Sequence, residues 1–256
     1  MSGGKFARRR KRKPLPLRFL ALLLLNVALV VLAVVFAVKL HHVTNLLITQ
    51  SAADVWKGQS EENFVQASAF QPVGKELTES QIETFHQTLE QKFVDASLET
   101  PENGSLYQDA WSTTAQDITV STNSVTYTAK TIGVGGDFFL FHPLRLISGS
   151  YLTADDFMRD RVVLDENLAW ALFGSSDVAG MSVTINGLQY PIAGVVARED
   201  DFATKKAYTD DVGMFMCYEA MNAISETKLS CYELVAPNMV SGFAYNIVQE
   251  KFKPDG

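Results

Sequence analysis

The feature that most restricts this chain is an unbroken apolar run near its start. Phe19 to Val38 reads FLALLLLNVALVVLAVVFAV, twenty residues with no charge and one polar side chain, Asn26. At about 1.5 Å of rise per residue, a helix of that length covers about 30 Å, the thickness of a bilayer's hydrocarbon core. A lone segment in hydrocarbon satisfies its backbone amides only as a helix, so the run predicts a transmembrane helix. A buried core helix is the competing reading, but soluble helices are rarely apolar over such a length. A cleaved secretory signal is the other. Its apolar region spans about 7 to 15 residues and closes on small residues, whereas here Lys39, Leu40, His41 and His42 follow. We read the run as an uncleaved anchor.

Charge orients that anchor. Residues 1–18 contain Lys5, Arg8, Arg9, Arg10, Lys11, Arg12, Lys13 and Arg18 and no acidic residue, so 8 of the 22 basic side chains lie there. The chain as a whole carries −7, which leaves −15 on the remainder, 14 basic against 29 acidic side chains. Short basic flanks stay on the cytoplasmic side, so the amino terminus is expected inside and the acidic bulk outside. Nucleic acid is the alternative contact for such a cluster. Beside a membrane span, anionic lipid headgroups are the simpler one, and no nucleic-acid partner is expected. The expected organisation is a basic cytoplasmic tail (1–18), a transmembrane helix (19–38), a stalk and linker (39–62) and a folded extracytoplasmic domain (63–256).

Within the exported part, helical spacing of Val43, Leu46, Leu47 and Ile48 continues the helix as a stalk to about Ser51. NFVQASAFQ (63–71) has strand composition and is ended by Pro72 and Gly74. Thr78 followed by Gln81 forms a capping-box pattern, and Ile82, Phe85, Leu89 and Phe93 make an apolar stripe, so 78–97 is an amphipathic helix with His86 as a partly exposed structural histidine. ETPENGS (99–105) signals a turn. Residues 106–134 read as two or three strands, followed by the apolar FFLFHPLRLISG (138–149). A strand at 162–164, a helix at 166–173 ended by Gly174, and a hairpin about Asn186–Gly187 come next. Residues 212–218 and 228–235 read as a further strand pair and 242–252 as a helix. The fold class is therefore α+β, one N-terminal transmembrane helix with a stalk and a mixed domain beyond it.

Chemistry-bearing motifs are sparse. No GxxxxGK[ST], GxSxG or HExxH occurs, and the histidines His41, His42, His86 and His142 are scattered. GVGGD (133–137) lacks dinucleotide-site spacing and reads as a turn. The acidic pairs Asp155–Asp156, Asp200–Asp201 and Asp210–Asp211 read as solvated surface, because adjacent loop residues point apart. No catalytic, cofactor or metal residue is assigned. Cys217 and Cys231 both lie in the exported part, where an oxidising compartment permits a disulfide; two separate buried thiols are the alternative.

One long stretch carries a resemblance. FHPLRLISGSYLTADDF (141–157) and then RVVLDENLAWALFGSSDVAGMSVTINGLQYPIAGVV (161–196) resemble the extracytoplasmic core domain of MacB-type transporters and related FtsX-like permeases. The ordered pieces are Leu146 and Gly149, Asp155 or Asp156, the strand at 162–164, Asn167 to Gly174, Asp177 to Gly180, and the hairpin closing at Val196. The family often places arginine after the glycine at Gly149, where this chain has Ser150, so a contact made by that arginine is not carried over. The resemblance implies a periplasmic-core fold and an ABC permease subunit without catalysis of its own. It also implies an ATPase subunit in trans and two copies, or one copy with a paralogue. These permeases follow the domain with three more membrane helices, and the sequence holds no second apolar span, so a fragment of a longer permease is expected. A stand-alone membrane-anchored binding or adhesion domain is the alternative.

Overall fold

The computed structural model describes residues 17–45, 50–58, 63–98, 105–198, 212–239 and 242–252. The chain divides into two compact units, Met1–Leu46 and Leu47–Gly256. In the first unit, α1 (Leu17–Asn45) is one continuous helix. Its stretch Ala21–Leu40 has a mean hydropathy of 3.0 with no part buried inside the protein, as a lipid-facing segment requires. The stalk expected to run to Ser51 passes through residues 46–49, which lie outside the described residues. A separate short helix, α2 (Ala52–Lys57), begins the second unit.

The second unit mixes helix and sheet. Its strands are β1 (Phe64–Phe70), β2 (Gln108–Thr113), β3 (Gln116–Ser121), β4 (Thr126–Gly136), β5 (Leu146–Gly149), β6 (Val162–Asp165), β7 (Ser182–Ile185), β8 (Leu188–Val196), β9 (Val212–Cys217) and β10 (Leu229–Pro237). The helices are α3 (Glu79–Asp95), α4 (Phe138–Phe141), α5 (Glu166–Phe173), α6 (Tyr218–Ile224) and α7 (Phe243–Phe252). The sheet runs β1-β10-β2-β4-β3-β7-β8-β6-β9, with β5 on β8, and β9 pairs back onto β4. Six strands, β4-β3-β7-β8-β6-β9, thereby close into a small barrel, while β1, β10 and β2 extend from β4 as an antiparallel wing. The β3–β7 joint is the narrowest, a single pairing of Ser121 with Thr184 reinforced by the Ser121 hydroxyl donating to the Thr184 carbonyl at 3.2 Å. The pairs β4–β9 and β6–β8 are parallel and the rest antiparallel.

Local sequence explains most elements. In α3, Gln81 Oε1 accepts from the Thr78 backbone N–H at 2.9 Å, and Ile82, Phe85, Leu89 and Phe93 are buried as their spacing predicts. Asp165 ends β6 and caps α5, its Oδ1 accepting from Leu168 N at 2.6 Å. The β7–β8 turn has φ of 49° at Asn186 and 82° at Gly187, the two left-handed conformations of a type I′ hairpin.

Three apolar clusters divide the interior. Val120, Leu164, Val183, Ile192 and Met214 fill the barrel, into which α5 inserts Leu168, Ala169 and Leu172 and α6 inserts Met221. One face of the wing is covered by α3 and α7, where Phe85, Tyr232 and Phe252 meet with ring centroids 4.7 to 5.3 Å apart. The opposite face packs on α4 through Phe138, Phe139 and Phe141, with Ala52 of α2.

Three sequence expectations are corrected. The strands β9 and β10 both form, but not as a pair: β9 lies between β4 and β6, and β10 between β1 and β2, with α6 carrying the chain across. GVGGD is no turn but the end of β4. Gly135 admits the Trp111 side chain, since a Cβ there would lie 2.0 Å from the indole Nε1. The turn expected at 99–105 falls almost wholly on residues outside the described ones.

The barrel core yields a direct test. Leu172 is 5% exposed, and an unpartnered carboxylate there would cost several kcal/mol. Leu172→Asp is expected to abolish the cooperative thermal transition of the second unit, followed by near-UV circular dichroism of the full chain in detergent. An unchanged melting temperature would contradict this packing.

Candidate functional site

Among the described residues, three groups of charged side chains stand out inside this fold, each assembled from residues far apart in sequence. On β10, Glu233 is only 4% exposed. Its Oε2 lies 2.5 Å from Nε2 of His142, which follows α4, and its Oε1 accepts from the Ser68 hydroxyl of β1 at 3.0 Å. The Gln66 amide donates to the same oxygen from 3.5 Å. His142 is itself buried and its ring lies 4.3 Å from that of Phe138. The group joins β1, β10 and α4, and a carboxylate so deeply placed is tolerable only because these donors replace water.

A second group sits on the opposite face of the wing. Asp109 Oδ2 lies 2.5 Å from His86 Nε2 of α3 and accepts from the Tyr232 hydroxyl at 2.8 Å. Partial burial works against a charged imidazole. The Asp109 carboxylate, with Glu90 and Glu83 further off, outweighs it, so the His86 pKa is raised. Burial, reinforced by Asp109 and Glu90, pushes the neighbouring Tyr107 hydroxyl up to about 12. His86 is thus the partly exposed structural histidine expected, and its partner Asp109 was not foreseen.

The third group lies at one end of the barrel. Arg198 Nε and Nη2 grip Asp165 Oδ2 at 2.8 and 2.7 Å, a fork on the carboxylate that also caps α5. Burial raises the Asp165 carboxyl pKa, against the pull of the Leu168 amide and the Arg198 guanidinium. Beside them a cleft of about 600 Å³ is lined by Asp117, Tyr127, Lys130, Asn167 and Arg198. Arg198 is followed by residues 199–211, outside the described set, which include Asp200–Asp201 and Asp210–Asp211. Of the first acidic pair, Asp155 is the exposed carboxylate expected, whereas Asp156 is half-buried, accepting from the Thr153 N–H at 3.0 Å and pairing with Arg161.

Cys217 and Cys231 are both free and buried. Cys217 is opposite Val134 on β4, Val134 is opposite Ser112 on β2, and Ser112 is opposite Cys231. Three strand spacings, about 14 Å, separate them, where a disulfide requires Cα atoms within about 7 Å. Of the two readings left open, the possible bridge gives way to two separate thiols, and burial raises both pKa values, well above the usual range for Cys231. Among the described residues no group of three His, Cys, Asp or Glu side chains is arranged to hold a metal ion.

These features define a class, a membrane-associated α+β domain whose buried polar groups brace strands against helices. The chain belongs to the MacB-like periplasmic core domain family, whose model matches residues 20–237. The macrolide export ATP-binding/permease protein MacB of Chromobacterium violaceum is 36% identical over 89 residues, 34% of this chain but only 14% of that protein. The periplasmic region of MacB from Actinobacillus actinomycetemcomitans shares the fold, with a TM-score of 0.50 at 19% identity over 72% of this chain and 80% of that one. The extracellular domain of the noncanonic ABC-type transporter YknZ from Gram-positive bacteria has a TM-score of 0.47 at 14% identity, over 74% and 90% of the two chains.

Two outcomes test the polar groups. Removing one partner of a buried hydrogen bond leaves the other unsatisfied at a cost of about 1–3 kcal/mol, so His142→Ala is expected to lower the unfolding free energy by that amount in a urea titration. A loss below about 1 kcal/mol would contradict the pairing, since exposed pairs are worth that little. For His86, whose folded pKa is raised, the contribution is complete below its unfolded pKa and fades as pH rises through the folded value. His86→Gln should therefore lower the melting temperature more at about pH 5.5 than at about pH 9, the unfolded value being about 6.5. An equal or reversed difference would refute it.

Proposed function

We propose that this chain is the membrane anchor and outer domain of an ABC transporter permease subunit. The observation that carries the reading is the family match, which takes in most of α1 and the strands through β10. Residues 1–18 form the cytoplasmic tail, 19–38 the span, 39–62 the stalk and linker, and 63–256 the extracytoplasmic domain. The eight basic residues ahead of the span support that orientation and contact with anionic lipid.

In this role the domain does no bond chemistry. It moves as a separate ATPase subunit binds and hydrolyses ATP, and passes that motion to export or to other work outside the membrane. The reading places the ATPase in a separate subunit, since the given sequence shows no Walker-type phosphate loop. Two copies, or one copy with a paralogue, make up the permease. Macrolide export belongs to the Chromobacterium relative by name, and a stretch covering 14% of that protein does not carry its substrate across.

Affinity purification of the tagged full chain from its native membranes tests the reading. An ABC ATPase is expected to co-purify, with hydrolysis that changes when the chain is stripped away. Recovery without any ATPase, together with binding to a surface partner, would replace this reading with a stand-alone membrane-anchored binding domain.

A further inference from the structure

The segment between β5 and β6 holds up apolar side chains that the fold does not use. Phe157 is 103% exposed and the adjoining Met158 51%. Single apolar residues scattered over a surface are ordinary. These two are adjacent, and the backbone that carries them is braced on both sides. Ahead of them, Asp156 accepts from the Thr153 N–H at 3.0 Å and pairs with Arg161. Behind them, Arg159 Nη2 donates to the Ala154 carbonyl at 2.9 Å, and its Nε lies 3.8 Å from Glu219 Oε1 on α6. The loop is thus closed on itself and tied to a helix, which lowers the ordering cost of binding. A cleft of about 460 Å³ adjoins the pair and is lined also by Arg159, Asp160, Tyr190 and Ala220.

We infer that Phe157 and Met158 form a docking knob for a basic polypeptide surface, an apolar hollow bordered by Lys or Arg on another protein. Shape selects a polypeptide. A small molecule in the cleft covers one side of a protruding ring at most, whereas a folded surface encloses it. Aromatic and Met side chains are also those enriched at the centres of protein interfaces.

Charge selects the sign of the partner. Arg161 is paired with Asp156 and Arg159 with Glu219, while Asp155, Asp160 and Glu79 are exposed and make no ion pair among the described residues. Partial burial, then Glu219 and Glu83, push the Glu79 carboxyl up, as crowded carboxylates do. Such a rim repels anionic lipid headgroups. A second copy would set the same rim against itself, like charge on like. The inference goes beyond the permease reading and does not depend on it.

The full chain in nanodiscs of uncharged lipid, with no ATPase present, is panned against random peptides displayed on phage. The selected peptides are expected to carry Lys or Arg beside apolar side chains, and their synthetic copies to bind less tightly as salt rises. Phe157→Ala should weaken such a copy at least about thirtyfold, the loss of an aromatic anchor. Its melting temperature should match the parent's. Trp170→Ala, which removes an exposed aromatic of α5 outside the cleft, should leave binding unchanged, and Asp160→Asn should flatten the salt dependence. Failure to select any peptide, selection of acidic ones, equal binding by Phe157→Ala, or a lowered melting temperature of that variant would overturn the inference. So would capture of the nanodiscs by anionic vesicles, or pairing of nanodiscs with one another, if Phe157→Ala abolished it, since the knob would then belong to lipid or to a second copy.

Discussion

The whole second unit depends on β4 being shared. On one edge, β3 pairs with Thr126 to Thr131 and β2 with Val134 to Gly136, while β9 occupies the other edge from Lys130 to Val134. The strand is therefore a member of the barrel and of the wing at once. Between the pairings Ser112↔Val134 and Gln116↔Thr131, four steps on one side oppose three on the other, so β2 and β3 are one long strand kinked by a bulge. That kink turns the chain from the flat wing into the curved barrel. The glycines of β4 lie at the same place, because Trp111 crosses Gly135 and Met221 crosses Gly133 with no room for a Cβ.

Buried polar groups then fix how helices sit on this frame. The Glu233–His142 pair ties the α4 region to the wing from one side, and Asp109–His86 ties α3 from the other. Asp165 does the same for α5 in the barrel, through its cap and through Arg198. Apolar contact alone tolerates sliding, since hydrophobic burial has no direction. Directional hydrogen bonds do not, and they give each helix a single seat. The first strand of the unit and its last pair side by side, Phe64 opposite Pro237, so the chain enters and leaves the wing at one end.

What was legible in the sequence was local. The α3 stripe, the Asp165–Gly174 helix and the Asn186–Gly187 hairpin each depend on residues within a few positions of one another, and the structure reproduces them. Family pieces over residues 141–196 carried the rest of the fold class. Long-range pairing was not legible. The strands β9 and β10 are neighbours in sequence, yet each finds its partners elsewhere, and that separation is what keeps Cys217 and Cys231 apart. The buried pair is 91 residues apart in sequence, and only the isolated Glu233 in SCYELVAP hinted that a donor had to exist. Glycines in GVGGD signalled a turn by composition, whereas Met221 over Gly133, Trp111 over Gly135 and the Asp109 backbone beside Gly136 are what leave no room for a Cβ.

The central claim is that a folded MacB-like domain stands outside the membrane on a helix whose basic preface stays inside. Protease added to intact cells, or to spheroplasts where an outer membrane intervenes, reads this directly when both ends of the chain are tagged. The account predicts loss of the C-terminal tag and survival of a small N-terminal fragment containing the span. Full protection of the C-terminal tag until the cells are lysed would contradict it.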